Sequence, residues 1–115
     1  MSITQALEQI ELSIGQAKAN IEKMEALQRL TANKDFEKIV LEGYFEKEAS
    51  RLVLLKAEPA VQGADEQSQI NKSIDAIGYV RQYFNTIMQF GRMSERALLE
   101  DEKTREELLS EQIGE

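Results

Sequence analysis

The stretch ITQALEQIELSIGQAKANIEKM, residues 3–24, decides the fold. Within it Ile3, Leu7, Ile10, Ile14, Ala17, Ile21 and Met24 recur at spacings of 4, 3, 4, 3, 4 and 3. That alternation is a heptad seam, because positions so spaced return to one side of a helix. Ser2 precedes the run and Gln5 follows it by three positions, the pattern of a capping box. Leu27 and Leu30 continue at spacings of 3, so the seam rotates after Met24. Gly15 interrupts the repeat at a cost of about 1 kcal/mol against Ala, which close approach of another backbone would offset. Three heptads are near the minimum for a coiled coil, and the spacing leaves pairing within the chain and between chains both open.

Outward from this helix, residues 31–35 (TANKD) form a break in which Asn33 or Asp35 can cap the next helix, with Leu30 placed to staple onto it. A second helix is predicted over 34–57, with Leu41, Phe45, Ala49, Leu52 and Leu55 along one side and Phe36, Ile39, Val40 and Tyr44 broadening it. A helix apolar over so much of its circumference needs cover on more than one side. Pro59, the only proline, opens a loop of small and polar residues to Ser68. Asp65 or Ser68 can then cap a third helix over about 66–112, whose apolar side carries Ile70, Ile74, Ile77, Phe84, Ile87, Met88 and Leu98. Its length implies a kink at Gly91 or a projecting end. The acidic residues from Glu100 to Glu115, against Lys103 and Arg105, give that end a net charge of −5.

These elements predict an all-α protein of three main helices, an N-terminal helical hairpin packed on the first part of a long C-terminal helix, with a coiled-coil element. Its 115 residues make one domain: a coiled-coil-like helix over 1–32, core helices over 33–99 and an acidic helix end over 100–115. With 14 Lys and Arg against 21 Asp and Glu, the net charge is −7, which disfavours a phosphate backbone as the primary partner. The absence of Cys and His removes disulfides, thiolate nucleophiles, Cys/His zinc sites and imidazole acid–base chemistry. The N-terminus is not expected to be a signal peptide, no membrane span is expected, and a cytoplasmic setting follows.

Few constellations could carry chemistry. Glu8 with Glu11, and Glu22 with Glu25, match the E-x-x-E half of an all-α nucleotide pyrophosphatase metal site. The E-x-x-D half is missing, and both pairs lie on one helix, so solvated faces explain them better. A ferritin-like site needs Glu-x-x-His, and no acid pair is singled out for glycoside hydrolysis. No catalytic residue, cofactor or metal ligand is assigned, and the chain is expected not to be an enzyme. Between Ile70 and Leu99 the charge is +2, and Arg81 falls between Ile77 and Phe84, which predicts partial burial. Its expected partner is an internal acid such as Glu42, Glu46 or Glu48; an anchor into a partner protein is the alternative. Tyr79, Tyr83 and Phe90 are expected in the core rather than as stacking platforms for single-stranded nucleic acid. Gly43, Gly78 and Gly91, each costly in a helix, suggest tight helix crossings.

The run NKDFEKIVLEGYFEKEASRLVLLKAEP (33–59) and the run SIDAIGYVRQYFNTIMQFGRMSERALLEDEKTREELL (73–109) carry a resemblance. Together they resemble a family of small acidic helical proteins of tailed phages, over residues 32–109. The matching features are Asn33, Asp35 and Phe36 as an N-x-D-F opening, a G-Y-[FL]-x-x-E-A-x-R-L-V stretch at 43–53, an I-D-A-I-G-x-x-R-Q-[YF] stretch at 74–83, and the acidic C-terminus. Members are typically encoded near portal and capsid genes. The resemblance implies a non-enzymatic virion or assembly protein docking on portal, connector or capsid through helical faces, present in several copies or as a homo-oligomer, in the virion and before assembly in the host cytoplasm. It implies neither direct nucleic-acid nor membrane binding. A free phage-encoded regulator that inhibits a host protein is the alternative.

Candidate partner-binding residues are Leu108, Leu109 and Ile113, then Ile3, Leu7, Ile10 and Ile14 of the seam, and Arg81. Residues 92–113 hold few apolar positions, so an isolated arm is marginal: one buried Leu contributes about 1.5–3 kcal/mol, against roughly 1–2 kcal/mol for ordering each residue. A neighbouring copy or a larger virion protein is therefore expected to cover that arm.

Overall fold

A computed structural model describes residues 2–114. Among them every regular element is helical: α1 (Ile3–Thr31), α2 (residues 34–56) and α3 (Ala64–Gly114). The long C-terminal helix packs against the N-terminal ones, as the patterning implies. Glu115, counted in the acidic tail, lies outside the described residues.

Local chemistry sets the ends. Ser2 and Gln5 form the reciprocal capping box: the Ser2 N–H donates to Gln5 Oε1 at 3.0 Å and the Gln5 N–H to Ser2 Oγ at 3.1 Å. Asn33, not Asp35, caps α2, its Oδ1 accepting from the Asp35 and Phe36 N–H groups at 3.0 Å. Neither Asp65 nor Ser68 caps α3, because that helix begins earlier, at Ala64, with the Gly63 carbonyl accepting from the Gln67 N–H. Asp65 then lies in the first turn beside Glu66, where the helix dipole favours negative charge. No break in helical hydrogen bonding interrupts α3 at Gly91.

The chain divides into two units. The first joins residues 2–27, which include most of α1, to residues 87–114 of α3. Their order is antiparallel, since Asn20 meets Ser94, Ser13 meets Asp101 and Glu11 meets Arg105. Ile14, Ala17 and Met24 of the heptad seam, with Leu27 beyond it, are buried, and Ile87, Gly91 and Ser94 are buried on α3. The seam thus pairs within the chain, and its partner is the second part of α3 rather than the first. Beyond Arg92, α1 lies along one side of the arm and supplies part of the support expected from a neighbouring copy or a larger protein, while Leu109 and Ile113 stay exposed.

The second unit spans residues 28–86 and pairs α2 with the first part of α3. Here α2 departs from α-helical periodicity: a turn at Lys34–Phe36 leads into a π-helical stretch, Glu37–Glu48, before the α-helix resumes at Ala49–Lys56. Nine residues separate Phe36 from Phe45, about two and a half α-helical turns, which would set the rings on opposite sides. Closing each hydrogen-bonded turn one residue later brings both to the same side. Both rings meet Phe84, at centroid distances of 6.0 and 5.7 Å, the latter edge to face. Such pairs contribute about 0.5–1.5 kcal/mol beyond their area, which helps to hold a rare helix geometry.

Gln67 of α3 ties that helix to the end of α2, and Gln62 fastens the connection between them. Gln62 Nε2 donates to the Lys56 and Glu58 carbonyls at 3.0 and 2.7 Å, and Gln67 Nε2 to those of Lys56 and Val61 at 3.0 and 2.9 Å. Carbonyls left over at the end of α2 are thereby satisfied without a glycine cap.

Candidate functional site

A helix packed on a single neighbour buries one stripe of its surface and leaves the remainder in water. Among the described residues no large side chain is fully buried. Ile39, Val53 and Leu54 of α2 are exposed, so the expected second layer of cover over α2 is absent from its unit. Ala49, Ser50, Val53 and Leu54 line a shallow apolar depression on this helix.

Tyr79, Tyr83 and Phe90 are not core, contrary to expectation: they are 68%, 53% and 52% exposed. They belong to a second heptad stripe on α3, Ala76, Tyr79, Tyr83, Thr86, Phe90, Met93 and Ala97, at spacings of 3, 4, 3, 4, 3 and 4. Every member is exposed. The Thr86 hydroxyl donates to the Gln82 carbonyl at 2.9 Å, which ties its polar atom to the backbone. Buried Ile77, Ile87 and Ser94 follow a neighbouring stripe offset by one position, and the width of the apolar surface hid this division in the sequence. The spacing itself was the signal.

The candidates read from the sequence separate into three groups. Ile14 is buried and Ile3, Leu7, Ile10 and Leu108 are half-buried, in the first unit. Leu109 and Ile113 project into solvent, Ile113 being 86% exposed, with Glu106, Glu107 and Glu111 on the same turns. Arg81 is exposed instead of partly buried. Its stem is long enough to carry the guanidinium to water from beside the core. Glu48, offered as its partner, instead receives Arg51 Nη2 at 2.5 Å. The Arg51 hydrogen bond, opposed by burial and helped by the Arg51 charge, holds the Glu48 carboxyl below its usual range, and the Glu48 hydrogen bond and charge raise the Arg51 guanidinium.

Polar groups inside the first unit position its helices. Ser13 Oγ donates to Asp101 Oδ2 at 2.5 Å, and Asn20 Nδ2 donates to the buried Ser94 Oγ at 3.1 Å. Arg105 Nη1 reaches Glu11 Oε1 at 3.3 Å. Glu11 is thus engaged by a cation, while Glu8, Glu22 and Glu25 stand on exposed faces. Among the described residues no three acidic side chains converge as a metal site would require. Gly91 is a tight crossing as expected, whereas Gly15 and Gly78 face open space. No helix among the described residues is long and apolar enough to cross a membrane. No protein-family model, curated protein or solved structure matches the chain.

Proposed function

We propose that this chain is a non-enzymatic component of a tailed-phage virion or of its assembly, docking on portal, connector or capsid protein through exposed helix faces. The observation that carries the reading is the exposure of Leu109 and Ile113 at the end of α3, where α1 takes up the neighbouring side of the helix. Four positions apart, the two side chains share one helix face. Their acidic surroundings suit a groove with an apolar floor and a basic rim. The resemblance of residues 32–109 to small acidic phage proteins supplies the setting, the virion, preceded by the cytoplasm of the infected cell. Acidic side chains spread along solvated faces suit a binding role better than catalysis.

Mass spectrometry of purified particles tests the reading, with Leu109→Asp and Ile113→Asp combined in the full chain. These positions leave the Ser13–Asp101 and Glu11–Arg105 contacts in place, so the variant should fold with unchanged helix content. Wild-type protein should be found in particles at fixed stoichiometry and the variant should be depleted. Absence of the wild-type chain from particles would sink the proposal and favour a free regulator of a host protein. Incorporation of the folded variant at wild-type level would move docking away from this face.

A further inference from the structure

We infer that the start of α1 and the end of α3 form one apolar groove, and that its occupant is a basic amphipathic helix of a different protein rather than a second copy of this chain. The inference rests on the docking role proposed above and deepens it, adding α1 to the site and naming the chemistry of the partner. The Glu11–Arg105 pair supplies the register. Leu7 and Ile3 precede Glu11 by four and eight positions on α1, and Leu109 and Ile113 follow Arg105 by the same steps on α3. Residues four apart share a helix face and the two helices run antiparallel, so Leu7 comes level with Leu109, and Ile3 with Ile113, on the side where Glu11 meets Arg105. Ile3 and Leu7 are half-buried, whereas Leu109 and Ile113 are exposed. Two such rows on neighbouring helices make the kind of groove in which a further helix lies.

Charge selects the occupant. Within the first unit, residues 2–12 and 101–114 hold seven acids and two cations, a net charge of −5, whereas residues 13–27 and 87–100 hold four of each. The net negative charge of this unit thus gathers at the end that carries the groove. On α3, Glu102 and Glu106 precede Leu109 by seven and three positions and so extend its stripe; on α1, Glu8 adjoins Leu7. Of the two cations, Arg105 is already held by Glu11. A second copy turned onto this end about a two-fold axis would set acid against acid, which opposes docking. A helix with apolar residues at i, i+3, i+4 and i+7 and Lys or Arg beside them meets both requirements, since its stripe covers the four apolar side chains and its cations meet the acids. The apolar floor and basic rim required of the partner are then those of one helix.

Fluorescence anisotropy with the full chain tests the proposal, the probe being a labelled peptide of about 18 residues with Leu at helical spacing and Lys elsewhere. It should bind roughly tenfold more tightly than a scrambled peptide of the same composition, and a version with Glu in place of Lys should not bind. Ile113→Asp, at an exposed position, should weaken binding about tenfold while circular dichroism shows unchanged helix content. Glu102→Gln with Glu106→Gln should weaken it too and lessen its dependence on salt. In nuclear magnetic resonance spectra of the unaltered chain, the peptide should shift the amides of residues 3–11 and 102–113 together. Absence of binding by the Leu and Lys peptide, equal binding of the scrambled one, or shifts confined to α3 would overturn the proposal. So would a dimer at about 100 μM that Ile113→Asp abolishes, because a second copy would then be the occupant. The purified chain gives this answer apart from any particle: peptide binding by a chain missing from particles would keep the groove and remove the virion setting, and a chain present in particles that ignores the peptide would do the reverse.

Discussion

Gly91 of α3 lies against Met24 of α1 so closely that a Cβ on the glycine would stand 2.8 Å from Met24 Cγ and nearer still to its Cβ. The missing side chain of one residue makes room for the other, and this contact locks the buried end of the first unit. Gly91→Ala should therefore destabilise by about 1–3 kcal/mol through overpacking, less the roughly 1 kcal/mol gained in helix propensity. Thermal unfolding checks it, and in a Met24→Gly background, which removes the Cβ as well as the atoms beyond it, the penalty should vanish.

Gly15 carries the opposite expectation. Nothing lies within 4 Å of the position a Cβ would take, so its substitution relieves a cost and creates no clash. Gly15→Ala should stabilise by about 1 kcal/mol, a rise of roughly 4–8 °C in Tm for a domain of this size. A fall in Tm would mean that another chain approaches the α1 backbone there, as the heptad reading had allowed.

The π-helical register of α2 should respond to Gly43 and Phe84. A Cβ at Gly43 would stand 2.9 Å from the Lys38 carbonyl oxygen, five residues back in the same helix. Gly43→Ala should expel the π turn or cost stability, and Phe84→Ala should cost about 3–5 kcal/mol by removing the ring that Phe36 and Phe45 share. Hydrogen exchange would report the change as faster exchange confined to residues 37–48, whereas uniform behaviour along α2 would dismiss the coupling.

Gln67→Ala deletes both hydrogen bonds from its Nε2 to the carbonyls of Lys56 and Val61. At about 0.5–1.5 kcal/mol for each bond, urea denaturation should show a loss near 1–3 kcal/mol with an unchanged m value. Gln62→Ala should cost a similar amount, since it too donates to Lys56.

Glu48 gives a small pH dependence with a definite sign. Its carboxyl is held below the usual 4.5 by the hydrogen bond and charge of Arg51. Its contribution is therefore complete above the unfolded value and disappears as pH falls through the lower folded value. Arg51→Met should lower Tm slightly at neutral pH and not at all in strong acid; an equal effect at both would assign the loss to packing. Arg51 is exposed and Glu48 half-buried at the surface, so the difference will be modest.

How much of this was legible beforehand differs from residue to residue. The all-α class, the three helices and the termini at Ile3 and Thr31 follow from local rules. Ser2 with Gln5, Asn33 and Pro59 act through neighbours a few residues away, and those neighbours are fixed by the chain itself. The heptad seam likewise announced which side of α1 would be buried. Periodicity identifies an apolar face without naming what covers it, so it could not say that α1 meets residues 87–114 of α3. Nor could it separate Ile77 and Ile87, buried, from Tyr79 and Phe90, exposed: one neighbouring helix covers one stripe, and the tertiary arrangement selects which. The π turn arose the same way, because α-helical spacing sets Phe36 and Phe45 apart and only a shared contact with Phe84 brings them together. Arg81 shows the same limit: its spacing between Ile77 and Phe84 predicted partial burial, and the folded chain leaves it exposed.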